Sequence, residues 1–329
     1  MWDKVPAPHK KGAYVSFSRD PEVLAAPAEF FGGPVEIASA PVGDVATRRA
    51  VVDAVHAQLD VAQPIPDDVK VRDFETTAAD GAKLLLRWYA KEGAEPGSAV
   101  LFLHGSGMIA SSVALYDGTV SRYVSSSGVP FLSVEYRLAP EHPHPTPVED
   151  AYAGLVWLAE RAAELGVDPA RIAVMGDSGG GGVAAGLALL ARDRSGPPIA
   201  RQILLYPMLD DRNTSPDPAL AGLITWSYDD NITGWQALLG DARGGPDVSP
   251  YAAPARMRDA AGMPPLYMEA LELDIFRDED IDYARRTAAG VTAELHVHAS
   301  VPHAFETIAF DSAVAQRMKT DRIRVLRAL

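Results

Sequence analysis

The chain of 329 residues contains no cysteine, which removes disulfides, thiolate catalysis and cysteine-ligated zinc and leaves the redox compartment open. It also lacks an apolar run of signal-peptide length near its start, and no later stretch is long and uncharged enough to cross a bilayer. A cytoplasmic protein without a membrane partner is therefore expected. Positive charge is scarce: 30 Lys and Arg stand against 44 Asp and Glu, and a formal net charge of -14 repels phosphate backbones and anionic membranes. Nucleic acid is not an expected partner. Hydrophobic residues at 47% and charged residues at 22% give the balance of a globular chain able to build a large core. The length exceeds that of a usual single domain, but α/β architectures run this long around one core, so one catalytic domain with an attached subdomain is expected.

Residues 1–70 are rich in Pro, Ala and Gly and show no strand alternation, although residues 47–59 carry apolar side chains at helical spacing. They read as the N-terminal part of a helical cap. From Val71 the pattern changes, and VRDFETT and KLLLRWY, separated by a turn at Asp80-Gly81, read as an antiparallel pair. Short apolar runs at 99–104, 130–136, 171–176 and 202–207 suit strands buried on both faces, and helical patterns at 111–127, 147–165 and 179–192 lie between them. Strands at 264–270 and 293–299 flank a helix at 277–289, and a last helix covers 312–329. This alternation predicts an α/β fold with a mostly parallel, eight-stranded sheet flanked by helices. Residues 71–208 form the first part of the catalytic core and 259–329 the second. Residues 209–258 interrupt the alternation at a length too great for a plain connection, and read as an inserted cap segment.

The strongest motif is Gly176-Asp177-Ser178-Gly179-Gly180, a G-x-S-x-G sequence directly after one expected strand and directly before a glycine-rich helix. A serine on so tight a turn adopts strained backbone angles, glycines beside it avoid collisions, and the helix N-terminus offers free N–H groups to an oxyanion. A phosphate cradle is the competing reading, but no Lys-Ser/Thr follows the last glycine. The order of this catalytic arrangement is Ser, then Asp or Glu, then His, each after a later strand. Asp274 follows the strand PPLYMEA and His303 follows AELHVHA, so His303 is expected as the base and Asp274 as the residue that orients it. Glu272, Asp278 and Glu279 compete for the acid role, and position relative to the strand favours Asp274. No metal site is expected: His142 and His144 lack further ligands, and His296 and His298 read as an ordinary pair on one strand face.

Five segments together resemble the hormone-sensitive lipase family of bacterial esterases: His104-Gly105-Ser106-Gly107, the run from Tyr136 to Pro143, Gly176 to Gly180, Asp274 to Glu279, and Pro302 to Phe305. The resemblance runs from about Val71 to the end in the family's order. It implies an α/β-hydrolase fold with a two-part cap, and a cofactor-independent carboxylesterase with a Ser178, His303 and Asp274 triad. It further implies oxyanion donors from the backbone of Gly105, Ser106 and Gly179, a small-molecule ester as partner, and a homodimer through the last strand and helix. Four positions depart from the family pattern: Ser106 for the middle glycine, Gly179 for alanine, Ile275 for proline and Asp280 for glycine. The expected chemistry is hydrolysis of short to medium acyl esters through an acyl-enzyme. The aromatics Trp226, Tyr228 and Trp235 of the insert are candidates to line the pocket. Two other readings use the same fold: a lactonase, amidase or deacetylase of a specialised metabolite, and a non-catalytic small-molecule-binding protein.

Overall fold

The computed structural model describes residues 17–33, 40–94 and 97–329. Its centre is one sheet of eight strands: β1 (Val69–Thr77), β2 (Lys83–Lys91), β3 (Ala99–Leu103), β4 (Phe131–Val134), β5 (Ile172–Asp177), β6 (Arg201–Leu205), β7 (Leu266–Leu273) and β8 (Ala293–Pro302). They lie in the order β1-β2-β4-β3-β5-β6-β7-β8. The first two pairings in this order are antiparallel and the other five are parallel. The β1–β2 turn closes where expected, with Gly81 at φ +89° and the Asp80 carboxylate accepting from the Ala82 N–H.

Every residue of β3 and β4 is buried, because helices cover both faces of the sheet. Alternate side chains divide the core. Val100, Phe102, Met175, Ile203 and Tyr267 pack towards α3 (Asp117–Ser127) and α8 (Ala313–Arg327). Leu101, Leu103, Val174, Leu204 and Met268 pack towards α4 (Thr146–Glu160), α5 (Ser178–Asp193) and α7 (Arg277–Ala288). The topology carries the ends of β5, β7 and β8 to one edge of the sheet, where the residues that follow them meet.

Several boundaries differ from the sequence reading. The helix expected from residue 111 begins at Asp117, because Ser111 has φ +76°, outside the helical region, and residues 114–116 form a tighter 3₁₀ turn. The helix expected to reach 165 ends at Glu160, and turns continue the chain. The N-terminal region holds two helices, α1 (Pro21–Phe31) and α2 (Val45–Ala62), where periodicity showed one. The signals for α1 are present: Asp20 caps the N–H groups of Glu22 and Val23, Pro21 stands at the first position, and Gly32 closes the helix at φ +72°. Of the expected segment 1–70, residues 1–16 and 34–39 lie outside the described residues. Within 209–258 the one α-helix is α6 (Tyr228–Leu239), started by a reciprocal capping box between Ser227 and Asp230. Among the described residues no helix is long and apolar enough to cross a membrane.

Candidate active site

Ser178 stands where β5 turns into α5, with φ +52°, a left-handed conformation that a side chain normally avoids. The turn is tight enough to forbid side chains around it. A Cβ on Gly176 would lie 2.4 Å from the Gly180 carbonyl oxygen, and one on Gly180 would lie 2.1 Å from the Leu103 oxygen and 2.3 Å from the His104 oxygen. The glycines thus let α5 press its first turn against the end of β3, while the Ser178 carbonyl accepts from the Met208 N–H.

The three residues singled out for position meet here. Ser178 Oγ is 2.8 Å from His303 Nε2, and His303 Nδ1 is 2.6 Å from Asp274 Oδ2. All three are buried. Burial lowers the affinity of His303 for a proton, but the charge of Asp274 and its hydrogen bond outweigh burial and raise the imidazole above its ordinary value of 6.5. The other Asp274 oxygen accepts from the Phe276 N–H at 3.1 Å, which holds the carboxylate in place. The competing acids are committed elsewhere. Glu272 accepts from the Ser300 N–H, Asp278 pairs with Arg277, and Glu279 accepts from the Leu209 and Asp210 N–H groups and from Asn213.

The loop after β3 carries three consecutive left-handed residues, Ser106, Gly107 and Met108, at φ 80°, 63° and 63°. Gly105, expected as an oxyanion donor, has its N–H directed to Tyr116 Oη at 3.3 Å, so it is turned to the side of the Asp177 carboxylate. The amides that pack beside Gly179 are those of Gly107 and Met108: a Cβ on Gly179 would lie 2.8 Å and 2.7 Å from their nitrogens. Sequence spacing could not show this, because it depends on the run of positive φ angles. His104 is structural. It stacks on Tyr136 at 4.5 Å, and burial pushes its imidazole down to about 4, so it stays neutral.

The three insert aromatics part company. Trp226 lies against Gly107, and its ring is 6.4 Å from that of His303. Tyr228 lines a cavity that Asp274 and Glu279 also line, and its hydroxyl accepts there from the Asp217 N–H. Trp235 has 0% exposure and belongs to the core beside Leu238 and Met208, which removes it from any pocket wall. Sequence reasoning missed Tyr206 and Phe276, whose rings meet His303 edge-on at 5.0 and 5.2 Å, and Thr225, whose hydroxyl donates to the His303 carbonyl at 2.6 Å. His296, as read, sits away from this site and pairs with Glu294.

A protein family described by its alpha/beta hydrolase fold matches residues 100–307, and the chain belongs to that family. Its resemblance to the hormone-sensitive lipase group of bacterial esterases agrees with this. The chain is 38% identical over 213 residues to the esterase LipI of Mycobacterium tuberculosis, covering 63% of this chain and 65% of LipI, so it spans about two thirds of that relative. It is 33% identical over 248 residues to the ethyl acetate hydrolase of Pseudomonas putida, covering 71% and 75%. Among solved structures, a bacterial heroin esterase superimposes with a TM-score of 0.85 at 35% identity, over 94% of this chain and 98% of that one.

Proposed function

We propose that the protein is a serine carboxylesterase acting on short to medium acyl esters. The observation that carries this is the unbroken, buried line from Ser178 Oγ through His303 to Asp274. Ser178 Oγ attacks the ester carbonyl carbon as its proton passes to His303 Nε2, and Asp274 stabilises the imidazolium that results. The N–H groups of Ser106, Gly107 and Gly179 receive the oxyanion. The ester C–O bond then breaks, the leaving alkoxide takes the proton from His303, and an acyl group remains on Ser178. Water attacks this acyl-enzyme, giving a proton to His303, and the acid leaves as the proton returns to Ser178 Oγ. No step calls for a cofactor.

A filled triad weighs against a non-catalytic binding protein, and the esterase names of the relatives weigh for an ester over other acyl compounds. We also infer that the N-terminal region and the insert act as one cap: Arg48 on α2 pairs with Asp230 on α6 at 2.8 Å, and the Gly43 N–H donates to Thr233 at 3.0 Å. Strand β8 lies at the sheet edge with Val297 half exposed, which supports pairing of two copies there and is checked by light scattering. The deciding test is hydrolysis of p-nitrophenyl esters from acetate to long chain by the wild type and by Ser178→Ala. Activity that peaks at a short chain and vanishes in the variant is expected. Equal hydrolysis by both proteins would refute the assignment.

A further inference from the structure

One hydroxyl group joins the nucleophile turn to the loop that faces it. Asp177 stands at the end of β5, directly before Ser178, and Gly105 opens the loop after β3, directly before Ser106. Strands β3 and β5 are parallel neighbours, paired as far as Leu103 with Gly176, so the two residues emerge next to each other. Tyr116, in the 3₁₀ turn before α3, bridges them. Its Oη donates to Asp177 Oδ2 at 2.8 Å and accepts from the Gly105 N–H at 3.3 Å. Burial pushes the Asp177 carboxyl up to about 6, so above that pH it is ionised and can only accept. A phenol has one proton to give, and with that proton on the carboxylate the oxygen is free to accept from the amide. The bonds therefore run one way, from Gly105 through Tyr116 to Asp177.

Gly105 is held at both of its polar groups. While Tyr116 takes its N–H, its carbonyl accepts from His104 Nδ1 at 3.1 Å. The peptide between Gly105 and Ser106 is trans and planar, so the direction of that carbonyl fixes the Ser106 N–H on the opposite side. The fit is close: a Cβ on Gly105 would lie 2.6 Å from Asp177 Oδ2, and the carboxylate occupies the place a side chain would need. Tyr116 is itself buried, with its ring 5.6 Å from that of His104 and 5.9 Å from that of Phe102. The loop needs such a hold, because Ser106, Gly107 and Met108 are all left-handed and two of them carry side chains there.

We propose that Asp177 and Tyr116 are positioning residues for the oxyanion donors: through Gly105 they lock the Ser106 and Gly107 N–H groups in register with Ser178 Oγ. The inference rests on the serine esterase reading, since it gives those amides an oxyanion to receive. Asp177 and Tyr116 take no part in bond breaking and act through the loop.

The test follows hydrolysis of p-nitrophenyl butyrate at about pH 8, where Asp177 is ionised. Active sites are counted by titration with diethyl p-nitrophenyl phosphate, so that unfolded molecules do not enter kcat. Tyr116→Phe keeps the ring and removes both bonds. It is expected to lower kcat per site about tenfold or more while KM stays within about twofold, because the donors bind the transition state and not the ground state. Propyl trifluoromethyl ketone forms an adduct on Ser178 that carries an oxyanion, and its Ki is expected to rise by the same factor as kcat falls. Asp177→Ala is expected to show the same loss. The double variant Tyr116→Phe/Asp177→Ala should then fall little further than either single one, as members of one relay do not act independently. A Tyr116→Phe protein within about threefold of the wild type in kcat, a loss confined to KM, an unchanged Ki, or losses that multiply in the double variant would each overturn the relay. Either single variant gives the kcat and Ki readings if the other does not fold. A wild type that cleaves no ester, or Ser178→Ala cleaving as fast, refutes the serine esterase reading itself, and the relay falls with it.

Discussion

A methyl group added by Gly180→Ala should damage catalysis far more than stability. The new Cβ would stand 2.1 Å from the Leu103 oxygen and 2.3 Å from the His104 oxygen, whereas real Cβ atoms essentially never come closer than 3.0 Å. Both obstacles are backbone, so neither can swing aside, and the helix start and the strand end must separate by about 1 Å. That separation moves Ser178 and Gly179 away from the loop carrying Ser106 and Gly107. A misplacement of about 1 Å in an aligned site costs about 10²-fold in rate. Overpacking costs about 1–3 kcal/mol, partly offset by the gain of about 1 kcal/mol for Ala over Gly inside a helix. The expected result is a protein whose urea midpoint drops modestly while kcat/KM on p-nitrophenyl butyrate falls about 10²-fold. A variant within about threefold of the wild type in activity would show that the elbow yields without disturbing the site, and would refute the reasoning.

Five further outcomes follow from the same geometry. Because Asp274 raises His303 above 6.5, kcat/KM should lose its active, neutral imidazole as pH falls through a midpoint above 6.5; a lower midpoint would contradict the pair. The same raised value means that the pair's contribution to stability is full below the unfolded pKa of about 6.5 and is lost as pH rises through the folded value, which urea midpoints at several pH values will show. Asp274→Asn should lower kcat by about 10³–10⁴-fold, with the acid midpoint shifted down because the balancing charge is gone. Ser106→Gly relieves a side chain held at φ +80° and should leave stability unchanged or raise it by about 1 kcal/mol; a clear loss in urea would mean the Ser106 side chain makes a stabilising contact. Arg322→Met leaves Glu269 and Glu306 buried without their shared cation, and should cost about 3–5 kcal/mol in urea unfolding.

Strand and helix alternation was legible because buried parallel strands are short, uniformly apolar runs, and the Ser178, Asp274 and His303 positions followed from their place after such runs. What could not be read depended on backbone angles and on which way a side chain faces. Gly105 and Gly107 look alike as donors in a string of letters; the left-handed run at residues 106–108 and the bond from the Gly105 N–H to Tyr116 are what set them apart. Trp226 and Trp235 look alike in sequence. Their difference in burial comes from Trp235 lying in the middle of α6, on the face buried with Leu238, while Trp226 precedes the helix and sits over Gly107. Helix α1 buries only Val23 and Ala26, so its caps at Asp20 and Gly32 mark it more clearly than any apolar periodicity does.

The run from Tyr136 to Pro143, one of the five segments of the family resemblance, gains a physical role from its contacts. Tyr136 Oη donates to the His104 carbonyl at 2.6 Å, and the Ala139 N–H donates to the Met108 carbonyl at 3.0 Å, so the run is bonded to both ends of the loop that carries Ser106 and Gly107. Arg137 anchors it behind, with two bonds to the fully buried Asp150 carboxylate. Arg49 on α2 bridges Glu141, the Ala139 carbonyl and the Ile109 carbonyl, so one guanidinium ties the N-terminal region both to this brace and to the loop. Arg48, the next residue back, reaches Asp230 on α6. Two adjacent arginines therefore join the N-terminal region, the insert and the loop that faces Ser178, and a shift of α2 cannot leave that loop where it is. Arg49 and Arg137, two of only 30 basic residues, thus help hold the strained backbone of this loop against relaxation.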